Sequence, residues 1–224
     1  MPFRLGLVQL GKFSTQFYLD ELYRQNKLLG VDHVLEINTV KTNFEQINQH
    51  LPKNFEQLIP LLKRHTEHLK TLDLDATLFP NISLHETLDK MDHGLELIHP
   101  IKVTLDSLYE KRIKKIAIWG TKYIARDPFF FDLLKKINVE CITLSDQMID
   151  SLDAMRKAVY KNGIDSKLLL AMQEMINAHI GEAPILIACT ELSALNAQLP
   201  PTKNVIDMAK LQIEKVIDHT IIPT

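Results

Sequence analysis

The stretch Ile185-Leu186-Ile187-Ala188-Cys189-Thr190-Glu191-Leu192 is the most informative part of the 224-residue chain. A short apolar run of this kind predicts a buried parallel strand, and the polar residues after it mark where the strand ends. In an open α/β sheet the carboxyl ends of the strands face the ligand site, so Cys189 is expected there. A thiol in that place can act as an acid, a base or a nucleophile, although a lone cysteine is more often a small buried hydrophobic residue.

The composition excludes several classes of protein. The chain has 46% hydrophobic residues and a formal net charge of −2, which fits a globular protein with a sizeable core and offers no basic surface for nucleic acid. Its two cysteines, Cys141 and Cys189, argue against a disulfide framework and for a reducing compartment. No signal-peptide pattern follows Met1, and no apolar run approaches the ~20 residues that span a bilayer. We therefore expect a cytoplasmic protein without nucleic-acid or membrane partners.

Short apolar runs alternate with longer amphipathic segments, which predicts an α/β fold with parallel sheets. The predicted strands are 5–10, 33–38, 76–79, 116–119, 140–144 and 185–189. The predicted helices are 15–28, 55–72, 83–90, 103–111, 128–136, 146–160, 166–179 and 205–219. Ser145-Asp146 and Asp165-Ser166 supply N-caps, and Gly30 stands where a C-cap glycine belongs. Pro60 is expected to kink or split the helix that contains it.

The strand pattern occurs twice. A strand that breaks at a glycine opens each half, and a later strand in each half ends at a polar residue, Asn81 or Cys189. Gly6 precedes Ala117 by 111 residues and Asn81 precedes Cys189 by 108, so the two offsets are nearly equal. This predicts a duplicated α/β unit. The first domain is expected at 1–101 plus 206–224 and the second at 102–205, with Asn81 and Cys189 on opposite walls of one cleft.

With these motifs the chain resembles the aspartate/glutamate racemase superfamily. The most specific segments are Cys189-Thr190-Glu191-Leu192 and Phe79-Pro80-Asn81-Ile82-Ser83-Leu84-His85, supported by Gly120-Thr121-Lys122-Tyr123, Lys161-Asn162-Gly163 and Val205-Ile206-Asp207. The resemblance implies two pseudo-symmetric α/β domains with the active site between them, no cofactor and a homodimer. It also implies that one thiolate removes the α-proton of the substrate while an opposite thiol returns a proton to the other face.

The chain departs from that pattern at its first catalytic position. The family sequence runs roughly Pro-Cys-Asn-Thr-x-His, whereas here Asn81 stands in place of the cysteine. A carboxamide neither gains nor loses a proton usefully near neutral pH, so the symmetrical two-thiol mechanism is excluded. Cys141 is expected to be a packing residue. The catalytic set implied by the resemblance is therefore Cys189, Asn81 and His85, with His85 as an acid, a base or a group that orients another.

Several residues are candidates for holding a substrate carboxylate, each with an ordinary structural alternative such as a helix cap or a solvated lysine. They are Gly11, Ser14, Thr15, Ser83, Thr121, Lys122, Lys161, Thr190 and Glu191. Neither a His-Glu-x-x-His nor a Cys-x-x-Cys spacing is present, so no metal is expected. The absence of a glycine-rich phosphate loop predicts that no nucleotide or pyridoxal phosphate is bound.

Three functions are compatible with the sequence. The first is an amino-acid racemase in which Cys189 works with His85 or a bound water. The second is a one-thiol decarboxylase or cis-trans isomerase of a dicarboxylate on the same scaffold. The third is a protein without catalytic activity that binds a dicarboxylate or an amino acid. We predict the first, with a small dicarboxylate or amino acid as the substrate.

Overall fold

The computed structural model describes residues 2–30, 35–179, 181 and 183–221. The chain divides into two compact units, residues 1–101 with 212–224, and residues 102–211. Each unit is built around one parallel sheet. The α/β class with parallel sheets is thus confirmed. Among the described residues no helix is both long and apolar enough to cross a membrane.

The first unit contains a three-stranded sheet in the order β2-β1-β3. Its strands are β1 (Phe3–Gln9), β2 (Leu35–Lys41) and β3 (Ala76–Leu78), and its helices are α1 (Lys12–Leu28), α2 (Phe44–Asn48), α3 (Phe55–Lys70) and α4 (His85–Leu88), with a 3₁₀ turn at Ile82–Leu84. Helix α5 (Pro100–Glu110) leads into the second unit. Leu58, Leu62 and Leu69 of α3 pack with Val8 of the central strand to form the core.

The second unit contains a four-stranded sheet in the order β5-β4-β6-β7. Its strands are β4 (Lys115–Gly120), β5 (Glu140–Ile142), β6 (Ile185–Ala188) and β7 (Val205–Asp207), and its helices are α6 (Pro128–Lys136), α7 (Asp146–Asn162), α8 (Ser166–Ala178) and α9 (Thr190–Asn196). Trp119 and Ile187 are fully buried and pack with Met172 of α8. Strands β4 and β6 are almost entirely buried, as expected for inner strands of a parallel sheet.

The register of the two sheets reproduces the sequence offsets. Leu7 of β1 lies opposite Leu78 of β3, and Ile118 of β4 lies opposite Leu186 of β6. Leu7 precedes Ile118 by 111 residues and Leu78 precedes Leu186 by 108. The central strand and its neighbour are therefore paired in equivalent register in both units, and each unit places a polar residue shortly after the second strand.

Local sequence signals account for several helix ends. The Ser145 hydroxyl accepts a hydrogen bond from the Met148 amide at 3.2 Å, and the Asp165 carboxylate accepts one from the Leu168 amide at 2.8 Å, as the predicted caps require. Gly30 has a φ of 70° and its amide donates to the Lys27 carbonyl, which is the conformation that favours glycine after a helix.

One sequence prediction is wrong, and one of the two outcomes expected at Pro60, a split helix, is excluded. The segment 205–219 was predicted to be all helix, but residues 205–207 form β7, because Val205 and Ile206 pair with the buried strand β6. Pro60 does not split its helix: α3 runs without a break from Phe55 to Lys70. Pro60 removes one backbone donor, and burial of Leu58 and Leu62 on either side offsets that loss. Part of the strand predicted at 33–38 lies outside the described residues.

Helix α10 (Met208–Ile221) begins in the second unit and continues into the first. The sequence prediction placed the return to the first domain at residue 206, whereas the pairing of β7 keeps 205–207 in the second sheet. Within the first unit, the buried Tyr18 hydroxyl donates to Gln212 Oε1 at 2.6 Å, and the Gln212 amide donates to the Ile98 carbonyl. Residue 212 is thereby tied to two distant segments of that unit.

Asp207 caps the start of α10. Its Oδ1 accepts hydrogen bonds from the Ser193 hydroxyl and from the Ala209 and Lys210 amides, while Oδ2 has no hydrogen-bond partner among the described residues. Burial raises the pKa of Asp207 to about 6, although those donors and the Lys210 charge act in the opposite direction. Because its folded-state pKa lies above the usual carboxyl value, this group stabilises the fold at low pH and loses that contribution as the pH rises.

We expect Asp207→Asn to remove this pH dependence. Between about pH 4 and pH 7 the wild type should lose about 2–3 kcal/mol of unfolding free energy relative to the variant, since one pKa unit corresponds to about 1.4 kcal/mol. Urea unfolding at several pH values measures the difference. The exposed Asp218 on the same helix provides the control, Asp218→Asn. A constant difference between Asp207→Asn and wild type across this range would contradict the prediction.

Candidate active site

Cys189 lies where the strand β6 ends and α9 begins. It is the N-cap residue of α9, with an extended backbone (φ −153°, ψ 124°), and only 4% of its surface is exposed. Trp119, Met155 and Leu192 belong to the same apolar cluster. The strand therefore holds the thiol at the carboxyl end of the sheet, where ligands bind in open α/β folds.

The Cys189 thiol donates a hydrogen bond to Glu191 Oε2 at 3.0 Å. Burial raises the pKa of Cys189 well above the usual thiol value, and the negative charge and hydrogen bond of Glu191 raise it further. The Leu192 amide and the positive charge of Arg156 lower that pKa in part. At neutral pH the thiol thus keeps its proton, and a carboxylate able to accept that proton is already in contact with it.

Asn81 occupies the equivalent place in the first unit, after β3. Its backbone is also extended (φ −153°, ψ 110°), and it is the N-cap residue of the 3₁₀ turn Ile82–Leu84. Asn81 Oδ1 accepts a hydrogen bond from the Leu84 amide at 3.2 Å. The carboxamide oxygen is therefore engaged, and Nδ2 has no acceptor among the residues that the structure describes. Asn81 is partly exposed, so this NH₂ group is a hydrogen-bond donor toward a ligand.

His85 is completely buried and fixes the turn that carries Asn81. Its Nδ1 lies 3.0 Å from the Asn81 carbonyl oxygen, and because a carbonyl only accepts, Nδ1 carries the proton. Burial lowers the pKa of His85 well below its usual range, and the neighbouring His99, whose ring centroid is 4.7 Å away, lowers it further. A neutral, buried ring of this kind favours the orienting role among those predicted for His85 over proton exchange with a substrate.

The remaining candidates of the first unit lie on the loops after β1 and β3. Gly11 is the N-cap residue of α1 with a φ of 86°, a conformation that favours glycine, and its carbonyl accepts from the Thr15 amide at 3.1 Å. Ser14 and Thr15 are buried, and the Thr15 hydroxyl has no hydrogen-bond partner within the described part of the chain. Ser83 is partly exposed in the 3₁₀ turn after Asn81.

The candidate residues of the second unit include both buried and exposed side chains. Thr190 is buried as the first residue of α9. The Thr121 hydroxyl accepts a hydrogen bond from the Ile124 amide at 3.1 Å and so caps a short turn after β4. Lys122 Nζ lies 2.6 Å from Asp150 Oδ1 in a largely exposed pair, and Lys161 is exposed in the last turn of α7. The structure thus brings Glu191 to Cys189 but leaves both lysines at the surface.

Arg156 of α7 is not among the residues predicted from the sequence. Its Nε donates to the buried Asp153 carboxylate at 2.8 Å, and its charge acts on the Cys189 thiol. The only signal in the sequence is an aspartate three residues before an arginine, which is common on exposed helices. Cys141 is half-buried, and burial raises the pKa of its thiol to about 11. Among the described residues no group of three or more His, Cys, Asp or Glu side chains could hold a metal ion.

We expect Glu191→Gln to make Cys189 more reactive. Removing the negative charge lowers the thiol pKa, so at about pH 8 the rate of alkylation by iodoacetamide should rise about three- to tenfold. The measurement uses a Cys141→Ser background and mass spectrometry of the intact protein. Glu174→Gln, at an exposed position of α8, is the matched control and should leave the rate unchanged. An unchanged rate in Glu191→Gln would show that this carboxylate does not control the thiol.

No protein-family model matches the chain, and no curated protein matches its sequence. Solved structures do match. A candidate Asp/Glu racemase from Yersinia pestis has a TM-score of 0.76 at 22% identity, covering 98% of this chain and 100% of its own. The aspartate racemase of Picrophilus torridus has a TM-score of 0.76 at 16% identity over 97% of this chain and 94% of its own. The maleate isomerase of Pseudomonas putida S16 has a TM-score of 0.60 at 12% identity over 100% and 95%. The chain therefore has the fold expected from its resemblance to the aspartate/glutamate racemase superfamily.

Proposed function

We propose that this protein is a cofactor-independent isomerase of a small amino acid or dicarboxylate, and specifically an amino-acid racemase in which Cys189 exchanges the α-proton. The observation that carries the proposal is the contact between Cys189 and Glu191 at the carboxyl end of β6. The fold shared with the aspartate racemase of Picrophilus torridus supports it. A homodimer in the cytoplasm is part of the same proposal.

In this proposal the reaction begins with the thiol proton moving to Glu191 along the existing hydrogen bond. The Cys189 thiolate then removes the α-proton: the C–H bond breaks, an S–H bond forms, and the electron pair moves into the substrate carboxylate as an enediolate. Return of the same proton regenerates the starting enantiomer. Delivery of a proton to the opposite face gives the other enantiomer.

Asn81 is proposed to face Cys189 across the substrate and to donate its NH₂ group to an oxygen of the enediolate. That role follows from its hydrogen bonding, since Oδ1 is engaged by the Leu84 amide and Nδ2 is left to donate. His85 would hold Asn81 in place through the Asn81 carbonyl. The proton for the second face would come from a water molecule, because neither Asn81 nor the buried neutral His85 is suited to supply it. The hydroxide that remains would take back the proton held by Glu191, which restores the carboxylate beside the protonated Cys189 thiol.

A second candidate is a one-thiol reaction on a dicarboxylate, such as cis-trans isomerisation. Two observations favour it: Asn81 provides no thiol at the first position, and the maleate isomerase of Pseudomonas putida S16 has a similar fold. Such a reaction needs only one nucleophilic or acidic thiol and a donor that stabilises the developing negative charge. Incubation with maleate, followed by detection of fumarate, tests this alternative directly. A non-catalytic binding role predicts neither reaction.

The central prediction is that Cys189→Ala abolishes exchange of the α-proton. Wild-type protein in deuterated water should introduce deuterium at Cα of aspartate or glutamate, and chiral chromatography should find the opposite enantiomer. The variant should lose activity by at least about 10²-fold, since general acid–base catalysis contributes on the order of 10²–10⁴-fold. Cys141→Ser is the matched control and should keep full activity. Wild-type activity in Cys189→Ala would rule out the proposed site, and exchange without inversion would indicate a one-base reaction.

Asn81→Cys tests the position that departs from the family pattern. If Asn81 lies opposite Cys189, a thiol there supplies the missing proton-transfer group, and the rates of α-proton exchange from the two enantiomers should become more equal. We expect the slower exchange rate to increase about tenfold or more. Asn81→Ser, which can still cap the turn but brings no thiol, is the control. Unchanged exchange rates for both enantiomers in folded Asn81→Cys would show that residue 81 does not line the substrate site.

A further inference from the structure

Helix α7 carries a group of charges that the proposed reaction does not use. The side chain of Asp153 is only 4% exposed, and two cations neutralise it: Arg156 Nε at 2.8 Å from Oδ1 and Lys157 Nζ at 2.6 Å from Oδ2. These two cations exceed the single carboxylate by one positive charge. A buried carboxylate with two partners fixes the geometry of both, and the excess charge is available to an anion.

Arg156 differs from Lys157 in the hydrogen-bond donors that remain after it has paired with Asp153. Its Nε is occupied by Asp153, whereas the two terminal amino groups have no acceptor among the residues that the structure describes. Its side chain is 26% exposed, compared with 63% for Lys157. The outer edge of a guanidinium held in this way is a rigid pair of donors that matches the two oxygens of a carboxylate.

The packing of α7 brings Arg156 into the neighbourhood of Cys189. Leu152 and Met155, which precede Arg156 on the helix, belong to the same apolar cluster as Cys189 and Leu192. The positive charge of Arg156 also lowers the pKa of the Cys189 thiol, against the larger effects of burial and Glu191. Arg156 therefore lies on a helix that packs in the same core as the proposed proton-transfer group, although the two residues are 33 positions apart in the sequence.

We propose that Arg156 receives a carboxylate of the substrate next to Cys189 and thereby makes the site selective for small acidic molecules. This inference rests on the proposed function, since it takes Cys189 to be the reacting group. Asp153 is then a positioning residue that holds the guanidinium at Nε and leaves its terminal edge to the ligand. If other residues hold the α-carboxylate, only an acidic side chain can offer a second carboxylate to Arg156. Amino acids with uncharged side chains would therefore bind more weakly.

The charge at Arg156 can be measured without any assay of turnover. Iodoacetate carries a carboxylate and iodoacetamide does not, so the ratio of their rates at Cys189 reports the local charge that an acidic ligand meets. In a Cys141→Ser background we expect Arg156→Gln to reduce this ratio about fivefold, as expected for one unit charge at close range in a solvated site. Lys157→Gln, which removes the more exposed partner of Asp153, should leave the ratio within about twofold of the wild type.

Protection experiments then test binding. Aspartate and malate should slow the alkylation of Cys189 by iodoacetamide, whereas alanine should not, and this protection should be lost in Arg156→Gln and retained in Lys157→Gln. Arg156→Lys keeps the charge but not the pair of donors. Its iodoacetate ratio should therefore be close to that of the wild type, whereas its protection by aspartate should be weaker. Circular dichroism checks that each variant is folded, and if Arg156→Gln is not folded, Arg156→Lys alone must weaken protection by aspartate.

The inference is overturned by an iodoacetate ratio in folded Arg156→Gln equal to that of the wild type, or by equal protection by alanine and aspartate. The same experiments distinguish a failure of this inference from a failure of the proposed function. Protection by aspartate without exchange of its α-proton would refute the racemase and leave Arg156 as the carboxylate receptor. Exchange of the α-proton with an unchanged KM for aspartate in Arg156→Gln would refute the receptor and leave the racemase.

Discussion

The pairing of each central strand with one parallel neighbour is the constraint on which the site depends. In the first unit β1 pairs with β3, and in the second β4 pairs with β6. In both units a residue with an extended backbone, Asn81 or Cys189, lies between the second strand and the 3₁₀ turn or helix that follows it. A slip of one residue in either register would turn every side chain of that strand to the other face of the sheet. Close packing around the buried residues of β3 and β6 opposes such a slip, and so it fixes where Asn81 and Cys189 emerge.

The two units use this shared geometry for different chemistry. At the end of β6 stands a titratable thiol in contact with a carboxylate, whereas at the end of β3 stands a carboxamide whose oxygen is already engaged in capping. The first arrangement can move a proton, and the second can only donate a hydrogen bond. The duplicated backbones therefore carry unequal side chains at equivalent positions, a thiol in one unit and a carboxamide in the other.

The sequence predicted the fold well because apolar runs in parallel sheets are buried on both faces and are easy to identify. Strand β7 was missed because three residues are too few to show a period and because the helix pattern continues directly after them. Cys189 and Asn81 were predicted from their positions in the motifs. The hydrogen bonds that decide their roles depend on the conformation of the turns around them, which residue spacing does not reveal. Arg156 was missed for the same reason. Its proposed role depends on the ion pair with the buried Asp153 and on the packing of α7, and both are properties of the tertiary structure.

The bond between Tyr18 and Gln212 has a consequence for the order in which the protein is made on the ribosome. The second unit is one continuous segment, so all its residues are available as soon as residue 211 has been synthesised. The first unit is discontinuous, and the hydrogen bonds that join Gln212 to the Tyr18 hydroxyl and the Ile98 carbonyl form only after Gln212 has been synthesised. The N-terminal unit is therefore the first to emerge during translation but needs the C-terminal helix to complete these hydrogen bonds, whereas the second unit needs no residue after 211.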